Sequence, residues 1–140
     1  MCGFVGFSSL KNELSNSRPI IEKMNSSLIQ RGPDEFGYYI NNNVALGHRR
    51  LIVVDPEGGK QPMIEKFSYG DYVICYNGQI YNTKELKSTL LRNGFEIKTH
   101  SDTEILLKSF IYYGYDVVNH LNGIFAFAIW NSKKQELFIA

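Results

Sequence analysis

Cysteine is scarce in this chain, with 2 among 140 residues. That is too few for the dense disulfide framework of a small secreted domain. The opening, Met1 to Leu10, has no basic leader, and Gly3, Gly6, Ser8 and Ser9 break its apolar run, so it does not read as a secretory signal. A cytoplasmic protein with free thiols is the expectation. No apolar stretch approaches the ~20 residues that a membrane-spanning helix needs. Neither sign of charge is in excess: 15 Lys and Arg face 14 Asp and Glu, for a formal net charge of +1. That balance removes any electrostatic reason to expect nucleic acid or an anionic membrane as partner. Histidines number 3, and His48, His100 and His120 show no ligand spacing with one another or with cysteine, so no metal site is expected. Gly58-Gly59 is not a phosphate loop, because Gly59-Lys60 is followed by Gln61 rather than Ser or Thr. There is no internal repeat and no low-complexity linker.

What is present suits one folded domain: 44% hydrophobic and 14% aromatic residues in a length that supports a single core. Gly3 to Ser8 reads as a strand. Ser17 is placed to cap a helix that opens at Arg18-Pro19 and stops at Gly32-Pro33. Phe36 to Ile40 and Val44 to His48 read as strands joined by an Asn41-Asn42-Asn43 turn tolerant of left-handed geometry. Periodicity fades from Arg49 to Ser68, which predicts a long loop of the kind that is often functional. Asp71 to Tyr76 is a strand, with Cys75 buried in it. Asn82 with Glu85, and Ser101 with Glu104, have the form of capping boxes for two helices that end at Gly94 and Gly114. Phe95 to Thr99 reads as a strand between them. A short helix over 116–121 and a hairpin of Gly123 to Trp130 with Glu136 to Ala140 complete the series. The order predicts a mixed α/β (α+β) layered domain. Because the sequence stops inside an apparent strand, the natural polypeptide is expected to continue.

Four places carry potential chemistry, and residue types alone leave each with two readings. Cys2, once Met1 is removed, would join a thiol to a free α-amine that titrates near ~8 and can act as a local base; the alternative is an accidental Met-Cys start. Arg50 offers a guanidinium fork suited to a carboxylate, or is a surface residue at a strand end. Its neighbour Arg49 reads as such a surface residue. Asn77-Gly78 could supply fixed hydrogen-bond donors to an oxyanion, or is a common turn. Asp102 could hold an ammonium group, or serve as an N-cap.

The order of several short blocks favours the functional readings. Met1-Cys-Gly-Phe-Val-Gly6, Arg31-Gly-Pro-Asp34, Leu46-Gly-His-Arg-Arg-Leu51 running into Val54-Asp55, Gly59-Lys-Gln-Pro62, Tyr76-Asn-Gly-Gln-Ile-Tyr-Asn82, Ser101-Asp-Thr-Glu104 and Gly123-Ile-Phe-Ala-Phe-Ala128 cover essentially the whole chain. Together they resemble class II glutamine amidotransferase domains with an N-terminal nucleophile, those of asparagine synthetases in particular.

The resemblance implies an Ntn-hydrolase-type four-layer α-β-β-α sandwich missing its last strands, with residues 1–140 forming the N-terminal part of a longer synthetase. It implies Cys2 as nucleophile and Asn77 and Gly78 as the oxyanion hole. Arg50 would bind the glutamine carboxylate, backbone groups of Leu51, Ile52, Val53 and Val54 would position the substrate, and Asp102 would hold its α-ammonium. Here Gln79 stands where the family usually has glutamate, so a charge-assisted bond is lost and weaker glutamine binding is expected. No cofactor is implied within this chain; ATP and Mg belong to the synthetase domain. The implied partners are glutamine and a synthetase domain in cis or in trans; separately, unpaired strand edges and apolar surface on an isolated fragment would favour a homodimer. The competing readings are a sugar or other acceptor for the ammonia, and an inactive module that binds glutamine or a partner.

Overall fold

Among the described residues the alternating patterns build seven strands and three helices in the order β1 Gly3–Ser8, α1 Arg18–Ser26, β2 Glu35–Ile40, β3 Val44–Arg50, β4 Met63–Phe67, β5 Gly70–Ile80, α2 Thr83–Arg92, α3 Asp102–Tyr113, β6 Gly123–Asn131 and β7 Glu136–Ile139. A 3-10 turn over Gly114–His120 follows α3. The structure, a computed structural model, describes residues 2–53 and 55–140. Among these residues no helix is long and apolar enough to cross a membrane.

The strands form two antiparallel sheets, one ordered β1-β3-β2 and the other β4-β5-β6-β7. β3 is buried along its whole length because both of its faces are covered. On one face the packing partner is α1: Asn25 Nδ2 donates to His48 O at 3.3 Å, and Arg49 Nε donates to Asn25 O at 3.3 Å. On the other, Val44 and Leu46 pack against Val73, Cys75 and Trp130 of the second sheet. The far side of that sheet is covered by α2 and α3, where Ile74, Tyr76, Phe127 and Ile129 meet Leu86, Leu90, Leu106 and Phe110. The layers therefore run α1, sheet, sheet, α2 with α3, the α-β-β-α sandwich implied by the sequence. Stacking buries both faces of each sheet, which is why the central strands read as continuous apolar runs.

Several local expectations are corrected. α1 ends at Ser26, six residues before Gly32, and the chain descends through i→i+3 turns such as Arg31 N to Leu28 O at 2.9 Å. Ser17 makes no side-chain cap bond. The Asn41–Asn43 turn does not use left-handed backbone; Asn41 Oδ1 instead accepts from the N–H groups of Asn43 and Val44 at 2.8 and 2.9 Å. The predicted 49–68 loop contains β4, whose one-in-two burial was hidden by Glu65 and Lys66. The Phe95 to Thr99 segment is irregular, since Glu104 takes the backbone N–H groups of Lys98 and Thr99. Asn82 is not a cap: its amide bridges His120 O and Asn122 N at 2.9 Å each. Arg49 is buried, its guanidinium 4.9 Å from the centre of the Phe36 ring, because α1 covers that face of β3.

Candidate active site

A cleft of about 930 Å³ opens where Cys2, just before β1, meets the end of β3, the end of β5 and the start of α3. Eight of the ten residues singled out in the sequence line it: Cys2, Arg50, Leu51, Val53, Asn77, Gly78, Gln79 and Asp102. Ile52 does not line it, and its backbone N–H is taken by Asp34 Oδ2 at 2.8 Å. Val54 lies outside the described residues.

Cys2 is half-buried at the mouth of β1, which pairs antiparallel with β3 and so sets Cys2 beside the strand's exit. Its Sγ accepts from Leu51 N at 3.4 Å and donates to Leu51 O at 3.6 Å. Arg31 Nε fixes the Cys2 carbonyl at 3.1 Å, while Asp34 N donates to Arg50 O at 3.1 Å. The Arg31 to Asp34 block thus anchors both the cysteine and the strand end that touches its sulfur. Cys75, by contrast, is fully buried between the sheets, and burial pushes its thiol far up, so it stays protonated.

Arg50 follows Val44, Leu46 and His48 at two-residue intervals, so it shares their face of β3. Its Nη1 donates to Glu35 Oε2 at 2.9 Å and Pro56 O at 2.7 Å, and its Nη2 to Asp55 O at 2.6 Å. These partners hold the guanidinium in one orientation at the cleft wall. The turn that wraps it leaves no room for a side chain at Gly59, where a Cβ would lie 2.2 Å from Arg50 Nη2.

Asn77-Gly78 is not a turn. Both residues continue β5, opposite Ala126 and Phe125 of β6. Glycine is required at position 78 because a Cβ there would come within 2.4 Å of Ile124 O and 2.6 Å of Phe125 Cα. The residue before them is fixed from three directions. Tyr76 N donates to Gln61 Oε1 at 2.6 Å, Tyr76 O receives His48 Nε2–H at 3.0 Å, and the Tyr76 hydroxyl donates to Asp102 Oδ2 at 2.6 Å. Burial, reinforced by Asp102, raises the Tyr76 hydroxyl well above its ordinary value, so it remains a donor. His48 must carry its proton on Nε2 to bond a carbonyl, and burial pulls its pKa from 6.5 down to about 4. Its Nδ1 has no partner among the described residues.

Asp102 is the first residue of α3 rather than its cap. Ser101 caps the helix, accepting from Thr103 N at 3.2 Å. The capping box is open, since Glu104 reaches back to Lys98 and Thr99 instead of Ser101. Asp102 also receives Ile80 N–H at 3.4 Å, which ties it to the end of β5. Gln79 is exposed in the cleft beside it. One cavity therefore offers a thiol, a guanidinium, a carboxylate and the polar Asn77 side chain: a nucleophile together with groups complementary to an α-amino acid.

His48 and Gln61, which pin Tyr76, carried no functional signal in the sequence beyond their place in the ordered blocks. Both hold backbone positions through tertiary contacts that span 28 and 15 residues.

The family model of a glutamine amidotransferase domain matches residues 1–140. Asparagine synthetase [glutamine-hydrolyzing] 3 of Bacillus subtilis is 44% identical over 140 residues, covering 100% of this chain and 23% of that protein. Asparagine synthetase B [glutamine-hydrolyzing] of Escherichia coli is 31% identical, covering 99% and 24%. The chain thus spans about a quarter of the length of these curated relatives. Among solved structures, the glutamine phosphoribosylpyrophosphate amidotransferase from B. subtilis superposes with a TM-score of 0.59 at 24% identity, over 72% of this chain and 23% of that one, and shares its fold. With its whole length matched and its sandwich shared, this chain belongs to the glutamine amidotransferase domain family.

Proposed function

We propose that the chain hydrolyses glutamine to glutamate and ammonia through a thioester on Cys2. The observation that carries this reading is the convergence of Cys2, Arg50, Asn77-Gly78 and Asp102 on one cleft. Removal of Met1 leaves Cys2 with a free α-amine, which takes the thiol proton as Sγ attacks the side-chain amide carbon. The Asn77 side chain and Gly78 N–H stabilise the oxyanion, a contribution of several kcal/mol in comparable sites. The amine returns its proton to the leaving nitrogen as the C–N bond breaks and ammonia departs. Water then attacks the thioester, releasing glutamate and restoring the thiol. Arg50 binds the α-carboxylate, Asp102 the α-ammonium, with Gln79 as a neutral acceptor, and Leu51 and Val53 line the substrate's path.

In this reading residues 1–140 act as the amidotransferase domain of a glutamine-hydrolysing asparagine synthetase. The ammonia passes to a synthetase domain, in cis or in trans, that uses ATP and Mg to activate aspartate. Similarity to curated asparagine synthetases favours this acceptor over a sugar. The test is glutamate release by the wild-type chain and by Cys2→Ala. Turnover that vanishes in the variant is expected; turnover that survives it would overturn the assignment.

A further inference from the structure

The two charged ends of the cleft sit on segments far apart in sequence, Arg50 at the end of β3 and Asp102 at the start of α3. Tyr76 holds Asp102 itself, and Gln61 Nε2, just past the Arg50 turn, reaches Thr103 Oγ1 at 3.4 Å, but the side chain that bonds both the turn and the segment before Asp102 is Asp55. Asp55 has a left-handed backbone, φ 46°, and heads the turn that encloses the Arg50 guanidinium. Its carbonyl accepts from Arg50 Nη2 at 2.6 Å, and Gly59 N closes the turn onto the same carbonyl at 3.0 Å. Its carboxylate works in two directions. Oδ1 accepts from Gly58 N at 2.9 Å, within the turn, and Oδ2 accepts from His100 N at 2.8 Å, 45 residues away. His100 lies two residues before Asp102, and Thr99, His100, Ser101 and Asp102 all line the cleft. The segment containing Thr99 and His100 is irregular, so no helix or strand ladder fixes its backbone. Beyond Asp55, the backbone there is held by Glu104 at Lys98 and Thr99 and by the Thr99 hydroxyl at Ser101 N. These contacts are local to α3 and its approach, and none reaches the Arg50 turn.

We propose that Asp55 is a positioning residue that sets the separation of the two recognition ends, tying the turn around Arg50 to the segment that delivers Asp102. The inference rests on the glutamine-binding reading given above. Asp55 touches no substrate; it acts through Arg50 and Asp102. Two hydrogen bonds to an ionised acceptor are stronger than neutral ones, and both go to backbone N–H groups whose alternative partner at this exposed site is water. A simple charge effect has the opposite sign. Asp55 is an anion near the substrate carboxylate, so neutralising it would tighten glutamine binding at Arg50 if electrostatics alone mattered.

The experiment compares wild type, Asp55→Asn and Asp55→Ala in glutamine hydrolysis, with amide exchange of His100, Ser101 and Asp102 followed in parallel. Asp55→Asn keeps the shape and one acceptor oxygen; Asp55→Ala keeps neither. The expected result is a KM raised on the order of tenfold in Asp55→Ala and by less in Asp55→Asn, with kcat changed far less than KM. Amide exchange at His100 should accelerate in the same order. A KM unchanged or lowered in both variants would overturn the proposal. If the wild type shows no turnover, the glutamine reading itself fails, and exchange decides the tie alone: faster exchange from His100 to Asp102 in Asp55→Ala sustains it, and unchanged exchange refutes it. Cooperative thermal unfolding of both variants confirms that any difference is measured on folded protein.

Discussion

Acid should weaken this fold through one buried imidazole. The ring of His48 is completely enclosed between the sheets, donating from Nε2 to Tyr76 O. Burial drives its pKa from 6.5 to about 4, against the pull of the Tyr76 carbonyl, which favours a protonated ring. The folded chain therefore keeps His48 neutral while the unfolded chain protonates it, so between these values the unfolded state binds the extra proton. Stability is complete above pH 6.5, declines as the pH falls through the window, and levels off near pH 4, where both states are charged. The slope approaches about 1.4 kcal/mol per pH unit, giving a loss of roughly 2 kcal/mol between pH 7.5 and pH 5. Held-down carboxyls such as Glu104 and Asp55, with ordinary values of 4.5 and 3.8, contribute chiefly at lower pH. The assay is urea unfolding of wild type and His48→Gln at pH 7.5 and pH 5. Glutamine keeps an N–H donor for Tyr76 O but cannot titrate, so the variant reports every other group. Wild type should lose about 2 kcal/mol more than the variant over that interval. Equal losses in the two proteins would refute a neutral buried His48.

Other expectations follow from the same contacts. Gly78→Ala must push apart β5 and β6 at Ile124 and Phe125; a loss of roughly 2 kcal/mol or more in urea unfolding is expected, with hydrolysis abolished. Gln61→Leu strands the buried Tyr76 N–H and should cost about 1–3 kcal/mol, whereas Gln61→Glu, which keeps the acceptor, should cost less in the same assay. Lys108→Met leaves the buried Glu104 carboxylate without its 2.7 Å cationic partner, with only the neutral donors of Lys98 and Thr99 to hold it, and thermal unfolding should show a loss on the order of 3 kcal/mol. Gln79→Glu restores a charge beside Asp102 and should lower KM for glutamine several-fold, on the order of 1 kcal/mol in binding; an unchanged KM would mean that Gln79 does not face the ammonium.

The strands and helices with strong periodicity were legible in the sequence, because burial on one or both faces left clear apolar patterns. β4 was not, since the charged pair Glu65-Lys66 interrupts its apolar positions, an apolar Ile64 falls on its exposed face, and two prolines precede it. Asn77-Gly78 illustrates a different limit. The dipeptide is a turn signal locally, yet pairing with Ala126 and Phe125, nearly fifty residues on, draws it into a strand. The capping boxes failed for a related reason. Asn82 and Glu104 bond across loops to His120, Lys98 and Thr99, contacts that no local spacing encodes. The site residues were legible through ordered blocks and the chemistry of each side chain. The scaffold that aims them was not: Arg31 on the Cys2 carbonyl, His48 and Gln61 on Tyr76, and Asp55 across to His100 are all set by tertiary folding.

The central claim is that Cys2 is a processed nucleophile inside a formed glutamine site. Intact mass after incubation with an electrophilic glutamine analogue tests it most directly, followed by peptide mapping. Loss of Met1 together with a single adduct on Cys2, prevented by excess glutamine, is the predicted result. No adduct, or modification that glutamine does not block, would contradict it.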